Sequence, residues 1–218
     1  MSNEQREKDI AQKLLEIQAV LLKPEQPFTW TSGLRSPIYC DNRMTMSFPE
    51  VRRQIAKSFA ALIREQYPQA EVIAGTATAG IPHAAWVSEE LGLPMIYIRD
   101  KAKGHGRQNQ IEGMLKAGQK VIVIEDLIST GGSSIKAALA AKEAGGDVLC
   151  VLAIFSYQLE KARLAFEQSG IPYTSLSNYT ALLEQAKAMG ILNSEQMEQL
   201  SFWRMNPEEY TQQWNAKG

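Results

Sequence analysis

The feature that most restricts the fold of this chain is a series of four short runs that are apolar almost throughout. The runs are AEVIAG at 70–75, MIYIR at 95–99, KVIVIED at 120–126 and DVLCVLAIF at 147–155. Helical patterns at 81–92 and 133–146 lie between them. Strands that are apolar on both faces are typical of a parallel sheet covered by helices on each side. We therefore predict an α/β fold with a mostly parallel central sheet flanked by helices.

Two further helices are predicted ahead of this core. A helix over 5–22 follows from apolar residues at spacings of three and four, namely Ile10, Leu14, Ile17 and Leu21. A helix over 47–66 has start signals of its own, with Ser47 as N-cap, Pro49 in the first turn and Glu50 three residues after the cap. The segment between them, FTWTSGLRSPIYCDNR, predicts a loop that leads into a short strand.

The chain after the core is mostly helical in pattern. A helix is predicted from residue 159, then a short strand at 171–176 and a helix-rich tail over 179–214. Asn178 and Asn206 are of the residue type that begins helices. A chain of 218 residues, 44% of them hydrophobic, is long enough for one domain with a full core, so a second domain is not expected.

Charge and composition limit the classes of partner that this chain is expected to bind. The formal net charge is −1 and no basic run occurs, so neither nucleic acid nor an anionic membrane is indicated. No apolar stretch reaches the roughly 20 residues that cross a bilayer, and the N-terminus is charged. Cys40 and Cys150 form no CxxC or metal pattern, and we interpret both as reduced core residues. These observations predict a cytoplasmic protein with a small-molecule ligand.

The stretch KVIVIEDLISTGGSSIKAA, residues 120–138, predicts an anion site. A strand that delivers a Ser/Thr/Gly loop to a helix start presents unpaired backbone N–H groups and the positive end of the helix dipole. Gly131 and Gly132 allow close approach of the backbone, and the hydroxyls beside them can donate hydrogen bonds. The pattern has no Walker A lysine and no GxGxxG, so it is neither a P-loop nor a Rossmann fingerprint.

Glu125 and Asp126, directly before that loop, need another partner. Two carboxylates beside an anion site repel the ligand unless they accept hydrogen bonds from neutral hydroxyls or hold Mg²⁺. A sugar phosphate supplies both a diol and a phosphate. The alternative is an ordinary turn with solvent-facing acids, but open α/β sheets bind ligands at the carboxyl ends of their strands, which favours a site.

Three segments resemble a known family. VIVIEDLISTGGSS resembles the phosphoribosyl pyrophosphate signature of the type I phosphoribosyltransferases, FTWTSGLRSPIYCDNR the N-terminal hood of the orotate phosphoribosyltransferases, and IRDKAKGHGRQNQIEG their mobile catalytic loop. Glycines and basic residues between 100 and 118 agree with a loop that closes over an anion, although a solvated surface loop is the alternative. The resemblance divides one domain, 1–218, into a helix and hood (1–46), an α/β core (47–176) with the loop 100–118, and a helical tail (177–218).

The resemblance also implies residue roles. Arg99, Lys103 and His105 would be catalytic, and Ser129, Arg35 and Tyr39 would contact orotate. Magnesium would be held through the substrate, with Glu125 and Asp126 as possible ligands, and a homodimer would share its active sites. The residues implied for phosphoribosyl pyrophosphate are Lys101, Glu125, Asp126, Leu127, Ile128, Ser129, Thr130, Gly131, Gly132 and Ser133.

The chain departs from the family pattern at several basic positions. Thr78 and Ala79 stand where many members have tyrosine and lysine, and Thr31 and Asp100 replace further lysines. An arginine that some members use near orotate has no match in SYQLEK, residues 156–161. We expect backbone amides, Arg35 and Lys101 to compensate.

Two other functions share the anion loop. A purine phosphoribosyltransferase would keep the loop but lack the SGLRSPIY segment, which this chain has. A regulator that binds phosphoribosyl pyrophosphate without catalysis would usually have a nucleic-acid-binding element, and the sequence indicates none. The resemblance therefore implies transfer of a phosphoribosyl group to orotate, giving orotidine 5'-monophosphate and pyrophosphate in pyrimidine synthesis.

Overall fold

A six-stranded sheet, covered by helices, is the centre of the molecule. The computed structural model describes residues 2–30, 32–101 and 110–216. Within those ranges the helices are α1 (Asn3–Glu16), α2 (Pro49–Gln66), α3 (Gly80–Leu91), α4 (Gly132–Glu143), α5 (Glu160–Ser169), α6 (Tyr179–Ala188), α7 (Ser194–Met205) and α8 (Pro207–Asn215). The strands are β1 (Val20–Leu22), β2 (Phe28–Thr29), β3 (Arg35–Ser36), β4 (Ile38–Cys40), β5 (Val72–Thr76), β6 (Met95–Ile98), β7 (Ile111–Glu112), β8 (Lys120–Ile128), β9 (Asp147–Ser156) and β10 (Tyr173–Asn178).

The strand order of the central sheet is β10-β9-β8-β5-β6-β7. All neighbours are parallel except β7, which runs antiparallel to β6 at the edge. The predicted α/β fold with a mostly parallel sheet is confirmed. Because β5 and β8 are adjacent and parallel, their carboxyl ends lie side by side, and the segments that follow both strands meet at one edge.

Helices cover both faces of the sheet, as the apolar strands predict. One apolar cluster joins a sheet face to α1, α2, α3 and the tail, and a second joins the other face to α4 and α5. The strand residues Ile73, Ile122 and Ile124 belong to the first cluster and are fully buried. Val121 and Val123, one residue out of phase, belong to the second. Alternate residues of one strand therefore stabilise two separate layers.

The predicted helix over 5–22 is wrong in its last third, after Glu16. α1 ends at Glu16, Gln18 has a positive φ of 58°, and β1 pairs antiparallel with β4. Val20 is buried opposite Cys40 in that small sheet. The helical spacing of the apolar residues continued past Glu16, but pairing with a distant strand stabilises residues 20–22 as β1.

The start of α2 also differs from the prediction. Ser47 ends a 3₁₀ helix that begins at Asn42, and the N-cap of α2 is Phe48, whose side chain makes no capping bond. Pro49 is in the first turn as predicted. The Asp41 carboxylate caps the 3₁₀ helix instead, by accepting from the Arg43 N–H at 3.2 Å. The predicted cap at Ser47 is therefore wrong: the Asx-type turn at Asp41 begins the 3₁₀ helix, and α2 begins without a side-chain cap.

The tail packs back onto the hood segment. The Asn178 side chain caps α6 by accepting from the Ala181 N–H, as predicted. α8 begins at Pro207 as predicted, although Asn206 makes no side-chain cap bond. The Trp203 indole donates to the Arg35 carbonyl at 3.0 Å. The tail is therefore packed against the hood segment.

One short strand lies inside a segment that was predicted to be a loop. Ile111 and Glu112, inside the loop predicted at 100–118, form β7, which sequence analysis missed. The division of the chain at 46 and 176 stays a prediction. Within the described ranges, no helix combines the length and apolar character needed to cross a membrane.

Candidate active site

The Glu125 carboxylate is buried and already hydrogen-bonded by the protein. The Thr76 hydroxyl, at the end of β5, donates to Glu125 Oε1 at 2.7 Å, and the Asp126 N–H donates to the same oxygen at 3.0 Å. The Ser134 hydroxyl, in the first turn of α4, donates to Glu125 Oε2 at 3.0 Å. Glu125 is only 6% exposed. Its two oxygens therefore connect β5, β8 and α4.

The pKa values of both acids are raised. Burial, with the neighbouring charge of Asp126 as a further cause, raises the pKa of Glu125 to about 7. Burial also raises the pKa of Asp126 above its usual value. Asp126 is half-buried rather than buried. Asn42 Nδ2 donates to the backbone carbonyl oxygen of Asp126 at 2.6 Å. Of the pair, Asp126 is the more exposed acid.

The loop after β8 ends in a left-handed residue at the start of α4. Gly131 is the N-cap of α4 with φ +81°, and a Cβ there would lie 2.8 Å from Cε2 of Phe166. At Gly132 a Cβ would meet nothing within 4 Å. Gly131 is therefore required by backbone conformation and packing, whereas Gly132 leaves open space above the helix start.

Two clefts meet at Leu127. The smaller, of about 250 Å³, is lined by the residues after β5 and β6, by both acids and by the first turns of α4. The larger, of about 900 Å³, is lined by the hood segment, by Ser129 and Thr130, and by residues of α5, α7 and α8. One cleft therefore faces the acids, and the other faces the hood and tail. The Ser/Thr/Gly loop over residues 129–133, called the hydroxyl loop below, lies between the two clefts.

The structure places the predicted site residues unevenly. Arg99 lines the smaller cleft and pairs with Glu112 at 3.3 Å, and Tyr39 lines the larger cleft. Lys101 and Arg35 are not among the described residues that line either cleft. Lys103 and His105 lie outside the described residues, as does Thr31. The loop residues of 125–133 are together at the carboxyl end of β8.

Sequence reasoning missed Lys136. It lines the smaller cleft together with the acids, and its ammonium donates to the Asp100 carbonyl at 2.8 Å. Lys136 lies four residues after Gly132, so the predicted helix start could have placed it near the anion loop. Lys136 is therefore a cation in the cleft that also contains both acids.

The metal prediction can be tested against the donor set. Among the described residues, no group of three or more His, Cys, Asp or Glu side chains could hold a metal. Mg²⁺ commonly binds through one or two carboxylates together with substrate phosphates and water. Glu125 accepts hydrogen bonds at both oxygens, and Asp126, the more exposed acid, lines the cleft. The residues fit a magnesium ion that the substrate brings with it.

Comparisons with known proteins agree with this geometry. Residues 48–173 match the family model of the phosphoribosyl transferase domain. An orotate phosphoribosyltransferase of Listeria monocytogenes is 56% identical over 204 residues, which cover 94% of this chain and 98% of that protein. The chain belongs to the orotate phosphoribosyltransferase family. The predicted resemblance is confirmed.

Other relatives extend the similarity. An orotate phosphoribosyltransferase of Bacillus caldolyticus is 57% identical over 202 residues, covering 93% of this chain and 98% of that protein. The solved orotate phosphoribosyltransferase of Aeropyrum pernix has a TM-score of 0.72 at 26% identity, over 84% of this chain and 99% of that one. The similarity covers the hood and tail as well as the sheet.

Proposed function

We propose that this chain transfers the phosphoribosyl group of phosphoribosyl pyrophosphate to orotate, giving orotidine 5'-monophosphate and pyrophosphate. The observation that carries the proposal is the position of the hydroxyl loop, with an acid-lined cleft on one side and a hood-lined cleft on the other. Such an arrangement can hold a sugar phosphate between a leaving group and an incoming base. Family membership and the confirmed fold support it.

The reaction forms one bond and breaks one bond at the anomeric carbon. A ring nitrogen of orotate supplies the electron pair of the new bond and releases its N–H proton to water, and the departing pyrophosphate keeps the pair of the broken bond. The sugar becomes oxocarbenium-like between them, so the protein's contribution is to align the partners, stabilise the leaving charge and exclude water. No covalent intermediate with the protein is needed.

Each element has a proposed part. The N–H groups at the start of α4 and the hydroxyls of Ser129, Thr130 and Ser133 bind the 5-phosphate. Asp126 accepts hydrogen bonds from the ribose diol. Glu125 positions Asp126 by accepting a hydrogen bond from the Asp126 backbone N–H. Arg99 and Lys136 line the cleft proposed for the leaving pyrophosphate. Lys103 and His105 complete the catalytic set on the strength of the resemblance.

Magnesium and assembly are also part of the proposal. Asp126 would help to hold Mg²⁺ that arrives with the substrate, and the ion would supply charge neutralisation for the pyrophosphate. The active protein is a homodimer in which the 100–118 segment of one subunit serves its neighbour. The buried free thiols of Cys40 and Cys150 support a reducing, cytoplasmic location.

A side-by-side assay tests the function. Purified protein, phosphoribosyl pyrophosphate and Mg²⁺ are incubated with orotate, hypoxanthine or adenine, and nucleotide product is separated and measured. We expect product with orotate and none with either purine. Product with a purine would favour the purine enzyme, and tight binding of phosphoribosyl pyrophosphate with no product from any base would favour the regulator.

A further inference from the structure

The larger cleft contains few cations. Its described lining includes two, Lys161 at the start of α5 and Arg204 near the end of α7. Arg35, predicted from sequence to lie near orotate, donates instead to Thr29 Oγ1 at 2.8 Å and to Asn215 Oδ1 at 3.3 Å. A base that carries a carboxylate must therefore find its counter-charge elsewhere in this cleft.

We propose that Arg204, supplied by the C-terminal tail, binds the carboxylate of the pyrimidine base. This inference deepens the proposed function and depends on it. It assigns a substrate-binding and specificity role to a helix that lies outside the family model match at 48–173. The carboxylate distinguishes orotate from uracil, so the residue that binds it selects the substrate.

Arg204 is held in place by neighbouring polar groups. Its Nη1 donates to Gln158 Oε1 at 3.1 Å and to Thr180 Oγ1 at 3.0 Å, and its guanidinium lies 6.0 Å from the centre of the Tyr179 ring. Gln158 Oε1 also accepts from Thr180 N and Oγ1. A guanidinium with these contacts has already lost much of its side-chain freedom, so binding an anion costs less.

The guanidinium also keeps donors for a ligand. In the described part of the chain, Arg204 Nε and Nη2 have no hydrogen-bond partner, and no carboxylate lies within 4.0 Å of Arg204. A planar fork of this kind suits bidentate binding of a carboxylate. Arg204 is half-buried, whereas Lys161 is exposed. The less hydrated and better fixed cation is therefore Arg204.

The residue before Arg204 fixes the helix against the cleft. Trp203 is fully buried, and its indole donates to the Arg35 carbonyl of the hood at 3.0 Å. Its ring lies 5.5 Å from Trp30 and 6.0 Å from Tyr157, and both of these residues line the cleft. Packing of this density leaves α7 little freedom to shift. The position of Arg204 in the cleft is therefore set by the core.

The acids of the cleft restrict where a carboxylate can bind. Glu160, Glu208 and Glu209 also line it and are exposed. Glu160 is paired with Arg163 at 2.6 Å, which leaves the two acids of α8 to repel an anion. A bound carboxylate is therefore directed away from α8 and toward the guanidinium of α7.

Two nucleotides isolate the interaction. Orotidine 5'-monophosphate and uridine 5'-monophosphate differ only in the carboxylate, so the ratio of their dissociation constants measures it. Calorimetry on the native protein should give tighter binding of orotidine 5'-monophosphate by roughly tenfold to a hundredfold, the range for a hydrogen bond between charged groups. In Arg204→Met the ratio should fall toward one, with uridine 5'-monophosphate affinity unchanged. Arg204→Lys should give an intermediate ratio.

Controls separate this role from a structural one. Arg52 is a matched arginine that lies over the Trp86 ring at 5.0 Å and donates to the Met46 carbonyl, outside both clefts. Arg52→Met should leave the ratio unchanged. A native ratio retained in Arg204→Met, an equal loss for both nucleotides, or a collapse in Lys161→Met instead would each overturn the inference. If Arg204→Met fails to fold, the Arg204→Lys ratio decides, and a native value there overturns it.

Failure of the proposed function would look different. A native protein that neither converts orotate nor binds orotidine 5'-monophosphate would remove the function and this inference together. A native protein that does both, with the carboxylate preference kept in the Arg204 variants, would remove the inference alone.

Discussion

The Thr76 hydroxyl lies 2.7 Å from Glu125 Oε1, and this bond joins the carboxyl ends of β5 and β8. The same oxygen also accepts from the Asp126 N–H, and the other carboxylate oxygen of Glu125 accepts from the Ser134 hydroxyl. Of two adjacent acids in the sequence, one is therefore used to position the other. The consequences of this arrangement can be measured.

Glu125 should make stability depend on pH. Its pKa is raised to about 7 in the folded protein from a reference value of 4.5, so between those values the folded state binds more protons than the unfolded state. The free energy of unfolding should therefore fall as pH rises from about 4.5 to about 7. Glu125→Gln removes this contribution. Urea unfolding of both proteins at about pH 5.0, near the lower end of this window, and at about pH 7.5, just above it, measures the loss.

The difference between the two proteins is the informative quantity. Burial lowers the pKa of His83 to about 4, and a depressed histidine acts in the opposite sense, with stability lost as pH falls from 6.5 toward 4. His83 is present in both proteins and cancels in the difference. An equal pH dependence in native protein and Glu125→Gln would contradict the prediction.

Gly131 and Gly132 should respond differently to alanine. Gly131→Ala places a Cβ at φ +81° and 2.8 Å from Phe166, so we expect a loss of roughly 1–3 kcal/mol in the free energy of unfolding. Gly132→Ala has open space and should be near neutral for stability. It should instead weaken inorganic phosphate binding, because the added methyl lies where the anion approaches. Denaturant unfolding and phosphate calorimetry on the pair check both effects, and equal stability losses would contradict this account.

Asp126→Asn should separate sugar binding from pyrophosphate binding. The amide keeps the size but loses a charge-assisted acceptor, so affinity for phosphoribosyl pyrophosphate and orotidine 5'-monophosphate should fall roughly tenfold or more. Affinity for free pyrophosphate should change much less. Calorimetry with the three ligands, with and without Mg²⁺, provides the comparison. A loss for pyrophosphate as large as that for the nucleotide would show that Asp126 acts mainly through the metal.

Hybrid dimers test the shared active site. Lys103→Ala should lower kcat by more than about tenfold, because its proposed charge stabilises the leaving group in the transition state. Asp126→Asn should have low activity at subsaturating phosphoribosyl pyrophosphate, because it weakens a different part of the site. Mixing the two should restore activity, since a hybrid dimer contains one intact site. Subunit exchange is confirmed with differently tagged chains, and no recovery after exchange would mean that each segment serves its own subunit.

The sequence by itself determined the central sheet, apart from the short edge strand β7, and the anion loop. Val121, Ile122 and Val123 are buried on alternate faces, and a run that is apolar at every position has few other solutions than a covered parallel strand. The anion loop is formed by hydroxyl and glycine residues that are adjacent in the chain directly after β8. Such a local pattern can be recognised from the sequence alone. The start of α6 at Tyr179 was predictable for the same reason, since the Asn178 cap acts within one turn.

Only the tertiary structure decided how these elements are used. Residues 20–22 are a strand because β4 pairs with them, and no local pattern reveals that partner. Arg204 reaches Gln158 across 46 positions of chain, and Glu125 accepts from Thr76 across 49. Such contacts depend on how distant elements pack, which side-chain periodicity does not specify. Secondary structure here follows mostly from local chemistry, whereas the roles of Glu125, Lys136 and Arg204 depend on which surfaces the folded chain brings together.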